Sequence, residues 1–590
     1  MTDFPQNILR YWLARLSVLV LLQCFCLGES AQFDGPAELP RSYVRSAVSD
    51  TPAPGKRIAV REGGDLQAAI NNATCGDTLE LQAGSVFTGV FRFPEKPCDD
   101  AHWIVVRTSA PDSSLPAEGR RLTPCWAGVA SLPGRPDFHC AAVQSVLVKI
   151  EFNVKSGLGP LLFQPGANHY RFIGLEITRA PGPVVSALSI APEGATANHL
   201  IFDRVWMHGT AQDETTRALN LNGMSHVAVV DSFFTDFHCV AVTGSCTDAQ
   251  VLAAGGGHLP SGPFKVVNNF LEASGENILF GGGPATMTPA DIEIRGNHFF
   301  KPMIWRPGEP GFVGGASGRP FIVKNLFELK NAQRVLLEGN LLENCWGGFS
   351  QNGYAVLLTP KNQSNQCPLC RVTDVTIRFN RISNVGSVFS IANVRSDAGG
   401  ETTAGERYSI HDIVADRVRG QEFGGGAGLV AQLLVAAPPL RDITIEHVTA
   451  FVPRATFSLM NGNRFTNFKI QNNILSTGQY SVLSAGGGPK NCAYQPDPGG
   501  FFKNCFSNSS FTHNLMIGEG GWPSGNWSAK DARSAGLRET LGPDGMPYGL
   551  CKEKDSGDCK KASPALHAGT DGKDLGADLE KLSQMLANVR

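Results

Sequence analysis

At 590 residues, with 66 glycines, 18% charged side chains and a formal net charge of −2, the chain has no global charge with which to hold nucleic acid or an anionic membrane surface. Such a length would ordinarily mean several domains, yet a solenoid grows by adding coils and needs no new core. High glycine and low charge suit a chain that turns often and shows little helix.

Residues 1–30 have the pattern of an export signal. Arg10 and Arg15 flank an apolar run from Leu16 to Cys26, and small residues allow cleavage near Gly28 or Ser30. The run, about eleven residues, falls short of the roughly 20 a spanning helix needs. No membrane span is therefore expected, and the mature chain is expected in the periplasm or outside the cell. Cys24 and Cys26 would suit a lipid anchor, but Gln23 and Phe25 are bulky where a lipobox wants a small residue. Residues 31–57 are rich in Pro, Ser and Ala without periodicity and are expected to be a linker.

The fold opens at DLQAAINNATCGDTLELQAGSVFTGVF, residues 65–91. Leu66, Ala69 and Ile70 predict a short helix able to cover an open first coil, and alternation begins at Leu79 and Leu81. Strands are predicted at 103–110 and 145–152, with a Pro-rich excursion at 111–140 between them. From about 168 to 518 a short hydrophobic phrase recurs, ending near Asp203, Asp231, Asn269, Asn297, Asn340, Asn380, His447 and Asn473, with a weaker copy ending at Asp416. Alternating Val, Ile and Phe without helix-length apolar stripes predicts strands. A repeat of this period means stacked units, and the expected fold is an all-β parallel β-helix over 58–525. Asn or Asp recurring once per coil is expected to form a hydrogen-bonded ladder along the axis. The tail, 526–590, loses the period. Leu579, Leu582 and Leu586 predict a short amphipathic helix in a C-terminal cap.

Thirteen cysteines follow the export signal, most in close pairs: Cys75 with Cys98, Cys125 with Cys140, Cys239 with Cys246, Cys367 with Cys370, Cys492 with Cys505, and Cys551 with Cys559. In an oxidising compartment these are expected to be local disulfides, leaving Cys345 as a buried thiol. Cys367-Pro-Leu-Cys370 has redox spacing, but no βαβ unit surrounds it. No second Cys or His pair makes a zinc site of it.

The recurring strands, the opening DLQAAI…GDTLEL and the closing AGTDGKDLGAD together resemble the right-handed parallel β-helix proteins of the pectate-lyase-like superfamily, over roughly residues 60–580. That resemblance implies a single-stranded right-handed solenoid with a helical N-terminal cap. It also implies an exported protein acting on polysaccharide: a lyase, a glycosidase or an epimerase. The polygalacturonase trio (NTD, a paired DD and GHG) is absent, and Asp99-Asp100 is expected to be a solvated turn. The calcium motif and the RxPxxR motif of pectate lyases are absent too. The local match is to the chondroitinase B and alginate lyase branch, where NLFELKNAQRVLLEGNLLENC puts Lys330 at the catalytic Lys position and Asn340 on the next strand. Abstracting a proton beside a uronate needs a base with cationic neighbours, and Lys324, Arg334 and Lys361 are candidates for that role. The match departs where the family has acidic calcium ligands, since Asn325 and Val323 stand there, and no Arg stands near Thr359-Pro360-Lys361. The resemblance leaves calcium open, but its ligands are not identifiable, and no other metal site or cofactor is evident.

Acids offer a second centre. Glu272 and Glu343 each follow a marker Asn by three residues with one coil between them, placing them roughly 10 Å apart, near the upper limit for a pair flanking a water. Glu276-Asn277 precedes a Gly-rich loop where a ligand could approach, and Trp305 is the candidate exposed sugar platform, while Trp206 and Trp346 are expected in the core. His208, His238, His298 and His447 show no metal spacing. The expected function is action on an acidic polysaccharide, with a β-elimination lyase favoured over a glycoside hydrolase. The alternative is a non-catalytic carbohydrate-binding or cell-surface protein. Oligomeric state has no sequence signature here.

Overall fold

The computed structural model describes residues 31–589 apart from 155–156, 183, 241–245, 349–350, 394–395, 404, 426–428, 432–439, 460–463, 485–487, 495–496, 540, 543–544, 555–556 and 558. The expected export signal lies outside the described residues. The fold implied by the superfamily resemblance is the one observed, a right-handed parallel β-helix. A typical coil has three strands, such as Ala167–Ile173, Leu175–Arg179 and Val185–Ile190. Each pairs in parallel with its counterpart in the next coil, for example Tyr170 with Leu200 and Leu200 with Val227. The first and second faces form one continuous ladder system, and the third is a separate twelve-stranded sheet running from Phe91–Phe93 to Val482–Ser484. Two longer strands, Glu406–Asp416 and Arg441–Ala450, run through the corner between the first two faces.

Inward residues stack on their counterparts. Phe172 lies on Phe202 at 5.2 Å with nearly parallel rings, and one apolar core runs from Val60 to Met516. The helix Leu66–Asn72 closes the first coil as expected, with Asp65 as its N-cap and Leu66 and Ile70 in that core. At the other end, the helix Pro498–Cys505 inserts Phe501 beside Phe457 and Phe506. The helix predicted near the C-terminus forms as Leu579–Leu586, but it does not close the stack. Leu582 packs against Phe379, Val414 and Met546 on the flank instead. The tail runs back along the turns, with Gly576 bonding to Asn472, Asp578 to Asp412 and Val589 to Arg121.

Residues 31–57, expected to be a linker, also dock. Phe33–Asp34 pairs with Ala37–Glu38, Asp34 accepts from Arg378 (2.6 Å) and His411 (3.1 Å), and Val44 packs on Ile201 and Ala228. The excursion at 111–140 covers the outside of the second face, with Leu115 and Leu122 against Trp206, Phe233, Phe270 and Phe300.

The ladder is built from asparagines between the first two faces. Asn269, Asn297, Asn340 and Asn380 each donate to the next, at 3.0, 3.0 and 2.9 Å, and Asn473, Asn514 and Asn526 continue it at 2.8 Å. The other marker residues fall beside this row. Asp203 instead binds Arg171 and Arg204, and Ser232 rather than Asp231 takes the rung facing Asn269. His447 and Asp416 lie beside and beyond positions held by Val448 and Ile413.

The disulfides close local loops. Cys75 is joined to Cys98 and Cys125 to Cys140, in the opening coil and in the excursion over the second face. Cys239 is joined to Cys246 and Cys367 to Cys370 within single loops. Cys492 is joined to Cys505 at the closing helix, and Cys551 to Cys559 in the tail. Every bridge is local, spanning 3 to 23 residues. Cys345 is a buried free thiol.

Asn340→Ala removes an acceptor from Asn297 and strands buried backbone oxygens, so a loss of about 1–3 kcal/mol is expected in chemical denaturation. Asn526→Ala, at the part-exposed last rung, should cost less. The N-terminal segment carries a pH prediction. Burial alone would lower His411, but Asp34 and Asp412 raise it from 6.5 to about 9. Burial alone would raise Asp34, but His411 and Arg378 hold it at about 2 instead of 3.8. The His411 contribution is full below 6.5 and lost as pH rises through 9; that of Asp34 is full above 3.8 and lost as pH falls through 2. Protection from hydrogen exchange at residues 33–38, measured against the base-catalysed intrinsic rate at each pH, should therefore be lower at pH 9.5 than at pH 6, and Asp34→Asn should flatten that difference.

Candidate functional site

On the third face, alternation points Phe327 and Leu329 into the core and leaves Glu328 outward, in register with Leu279 and Leu357. Around Glu328 three successive coils place charges against one another. Lys330 Nζ lies 2.7 Å from Glu328, Lys324 pairs with Asp248 and stands 3.6 Å from Glu276, and Gln250 donates to Glu276 at 2.9 Å. Asn325 donates to Glu328 at 2.5 Å, and Arg217 is in register with Gln250. Glu276, Glu328, Gln250 and Asn325 are fully buried. Among the described residues, Gln250 Oε1 and Asn325 Oδ1 have no hydrogen-bond partner.

The glycines beyond Glu276 serve this cluster. A side chain at Gly281, where φ is +103°, would strike Lys330, and one at Gly282 would crowd its stem. The Gly-rich loop thus makes room for Lys330 itself. Burial opposes the charge on Lys330, but Glu328 and Glu276 outweigh it and hold the ammonium protonated well above its ordinary range. Burial also opposes Lys324, and Glu276 and Asp248 raise it. A lysine held charged neutralises an anion well and abstracts a proton badly.

The turn carrying Glu276 hangs on a side chain that sequence reasoning missed. Lys301 is fully buried and donates to Ala273 O (2.7 Å), Ser274 O (3.1 Å), Asn277 Oδ1 (3.1 Å) and the carbonyl of Gly275. Burial lowers it to about 8. Asn277, expected to meet ligand, is sealed here, its amide donating to Leu271 O and Phe300 O. Only the spacing of Lys301 after Phe299-Phe300 hinted at an inward lysine.

The remaining candidates are dispersed. Arg334 lies on the first face, bonded to Asp291 at 2.7 and 3.1 Å. Lys361 sits one coil beyond Lys330, bonded through its backbone to Lys330 O, while its ammonium pairs with Asp397 at 3.0 Å. The Glu272–Glu343 pair does not flank a water, because Phe300 stands between them in register. Glu272 is buried beneath Arg135 (2.6 and 2.8 Å) and pushed up to about 7 by that burial, while Glu343 pairs with His298 and Arg417. Trp305, expected as an exposed platform, is 1% exposed, enclosed by Arg135, His238 and Phe321. Trp206 and Trp346 are buried as expected.

No family model and no curated protein matches this chain. Solved structures do. It is similar to PL6 family alginate lyase AlyGC at 12% identity and a TM-score of 0.45, covering 89% of this chain and 58% of that one. The chain thus spans little more than half the length of that enzyme. It is also similar to a PL6 family polysaccharide lyase from Pseudopedobacter saltans (10%, TM-score 0.33, 86% and 98% covered) and to a family 28 exopolygalacturonase from Yersinia enterocolitica (10%, TM-score 0.27, 79% of each). Among the described residues, no helix is long and apolar enough to cross a membrane.

Lys301→Met keeps the stem and removes the charge. It should cost about 3 kcal/mol, since four acceptors lose a charged donor, and hydrogen exchange should quicken at residues 274–277 before the rest of the sheet.

Proposed function

We propose that this chain acts on an acidic polysaccharide laid along the third face, with the cluster of Glu276, Lys324, Glu328 and Lys330 as its centre. One observation carries the reading: two fully buried carboxylates on neighbouring coils, Glu276 and Glu328, stand 3.6 and 2.7 Å from the lysines Lys324 and Lys330. A core does not need such an arrangement, since buried ion pairs add little stability and perturbed ionisable groups gather at functional sites. A uronate carboxylate entering here would meet Lys324 and Lys330 as charge neutralisers. That role for Lys330 replaces the general base suggested by the family resemblance, because its acidic neighbours keep it protonated.

Within this reading a β-elimination lyase is favoured, with Lys361 as a further cation one coil away. The base would then be another group, and Glu276 is the buried carboxylate whose charge acts on both lysines, standing 3.6 Å from Lys324. The six disulfides support an oxidising, exported location. A hydrolase reading through Glu272 and Glu343 has no open pair to work with. A non-catalytic binder has the same charge pattern in its favour.

The test is a panel of alginate, pectate and glycosaminoglycans, followed both for unsaturated product absorbing in the ultraviolet and for reducing ends. The expected result is ultraviolet-absorbing product from one uronate polymer, reduced at least 100-fold in Lys330→Ala and in Glu276→Gln, about 2.7 kcal/mol of transition-state stabilisation. Retention of polymer without either signal would favour the binder. Reducing ends without ultraviolet absorbance would overturn elimination.

A further inference from the structure

At the start of most first-face strands, one residue takes a left-handed backbone conformation, and these residues line up along the solenoid. In the later coils this column is closed by charge pairing between neighbours. Arg334 binds Asp291 at 2.7 Å and Arg407 binds Asp374 at 2.7 Å. Asn467 then donates to Asp442 at 2.7 Å. In three early coils the same position is histidine. His169, His199 and His226, with φ of 56, 53 and 53°, stack at 4.4 and 4.5 Å with rings within 8° of parallel.

Three like bases in a column have no internal acid. The acid comes from outside: Asp100 Oδ1 lies 3.4 Å from His169 Nε2 and 4.0 Å from His199 Nε2. Asp100 sits two residues after Cys98, whose disulfide to Cys75 staples that loop to the opening coil. On the far side of the first two rings, Nδ1 is engaged by the preceding Asn, His169 with Asn168 at 2.7 Å and His199 with Asn198 at 2.6 Å. Asn168 is itself held through its amide by Lys96 O and Gly166 O. An oxygen accepting from Nδ1–H fixes the tautomer and turns the Nε2 lone pair toward Asp100, the outer-shell arrangement that orients metal-binding imidazoles. Trp103 walls the site, edge-on to both rings at 5.0 and 6.1 Å.

We propose that Asp100, His169 and His199 form a binding site for one divalent transition-metal ion of the zinc class. The three donor atoms already lie within 4.8 Å of one another. A tetrahedral ion with ligands at 2.0–2.2 Å holds them about 3.3 Å apart. Closure therefore needs movement of about 1 Å, available from rotation of the imidazoles and from Asp100, whose side chain is 85% exposed. Two imidazoles and one carboxylate select zinc, nickel or copper over calcium or magnesium. Solvent can reach the fourth position past the exposed Asp100. His226 continues the stack as a spare nitrogen donor.

The experiment uses the full chain without a polyhistidine tag, stripped with chelator and titrated with Zn2+ by calorimetry and with Co2+ by visible absorption. The expected result is one equivalent bound, a Co2+ spectrum of low coordination number, and no heat with Ca2+ at this site. His199→Ala should weaken binding at least 100-fold, and Asn168→Ala 10- to 100-fold through the outer shell. Asp100→Asn changes only an exposed group, so its expected loss of affinity cannot be blamed on misfolding. Absence of saturable Zn2+ binding by the wild type would overturn the proposal, as would binding unchanged in both His199→Ala and Asp100→Asn.

Discussion

No coil of this solenoid can bury its own apolar faces. Three short strands enclose too little volume, so each layer of Phe, Leu, Ile and Val is completed only by the layers above and below. Every other feature answers that constraint. Parallel stacking in register turns one inward residue per layer into a continuous column, as Phe172 over Phe202 shows. The tight corner between the first two faces would leave backbone groups dry, and the asparagine rungs satisfy them by bonding at once to the next rung and to strand carbonyls, as Asn340 does with Asn380, Ile294 and Glu338. The ends, where stacking stops, need separate closure, and the helices Leu66–Asn72 and Pro498–Cys505 provide it.

A regular stack also imposes its regularity on the outside. Whatever one coil presents at a given position is repeated about one strand spacing away by the next, so outward side chains meet as columns. On the second face the column is apolar and is covered by the excursion at 111–140. On the third face the column through Glu328 has leucines on either side, Leu279 and Leu357. Lysines of the same coil pair with Glu328 and with Glu276 of the coil before, so charge is buried beside that column. Covering an apolar column stabilises the fold. Burying charge costs desolvation that ion pairing only partly offsets, which is why the third face is the better place to look for chemistry.

These two kinds of feature differ in how far they could be read from sequence. Strand alternation and the Asn repeat are local and periodic, so the fold and the opening helix were legible, and so were cysteine pairs as close as Cys239 with Cys246 and Cys551 with Cys559. Register was less so. Asp203 and Asp231 share the chemistry of a rung yet sit one or two positions away, because a corner displaced by a residue leaves almost the same phrase. Site residues were least legible, since their meaning lies in neighbours from other coils. Lys330 was singled out from its strand, but Glu276 and Glu328, which decide its protonation, act across coils. Trp305 stood in a Pro-rich stretch that looked exposed, and Arg135, 170 positions earlier in the chain, helps enclose it. The docking of 31–57 left no periodic trace, because that segment pairs with the flank through single contacts such as Asp34 with His411.

The histidine column shows the same limit from the other side. NHY, NHL and SHV open three consecutive repeats, a coincidence visible once the coils are aligned, yet spacings of about one coil fall outside any local metal motif. A solenoid converts that long spacing into contact. Two residues separated by a whole coil become nearest neighbours, so ligand sets in this architecture follow the coil period rather than the three- or four-residue intervals of helices and loops. Asp99-Asp100 illustrates the consequence: an ordinary exposed turn when taken alone, it becomes the counter-charge to a stack of imidazoles once a disulfide holds its loop beside them.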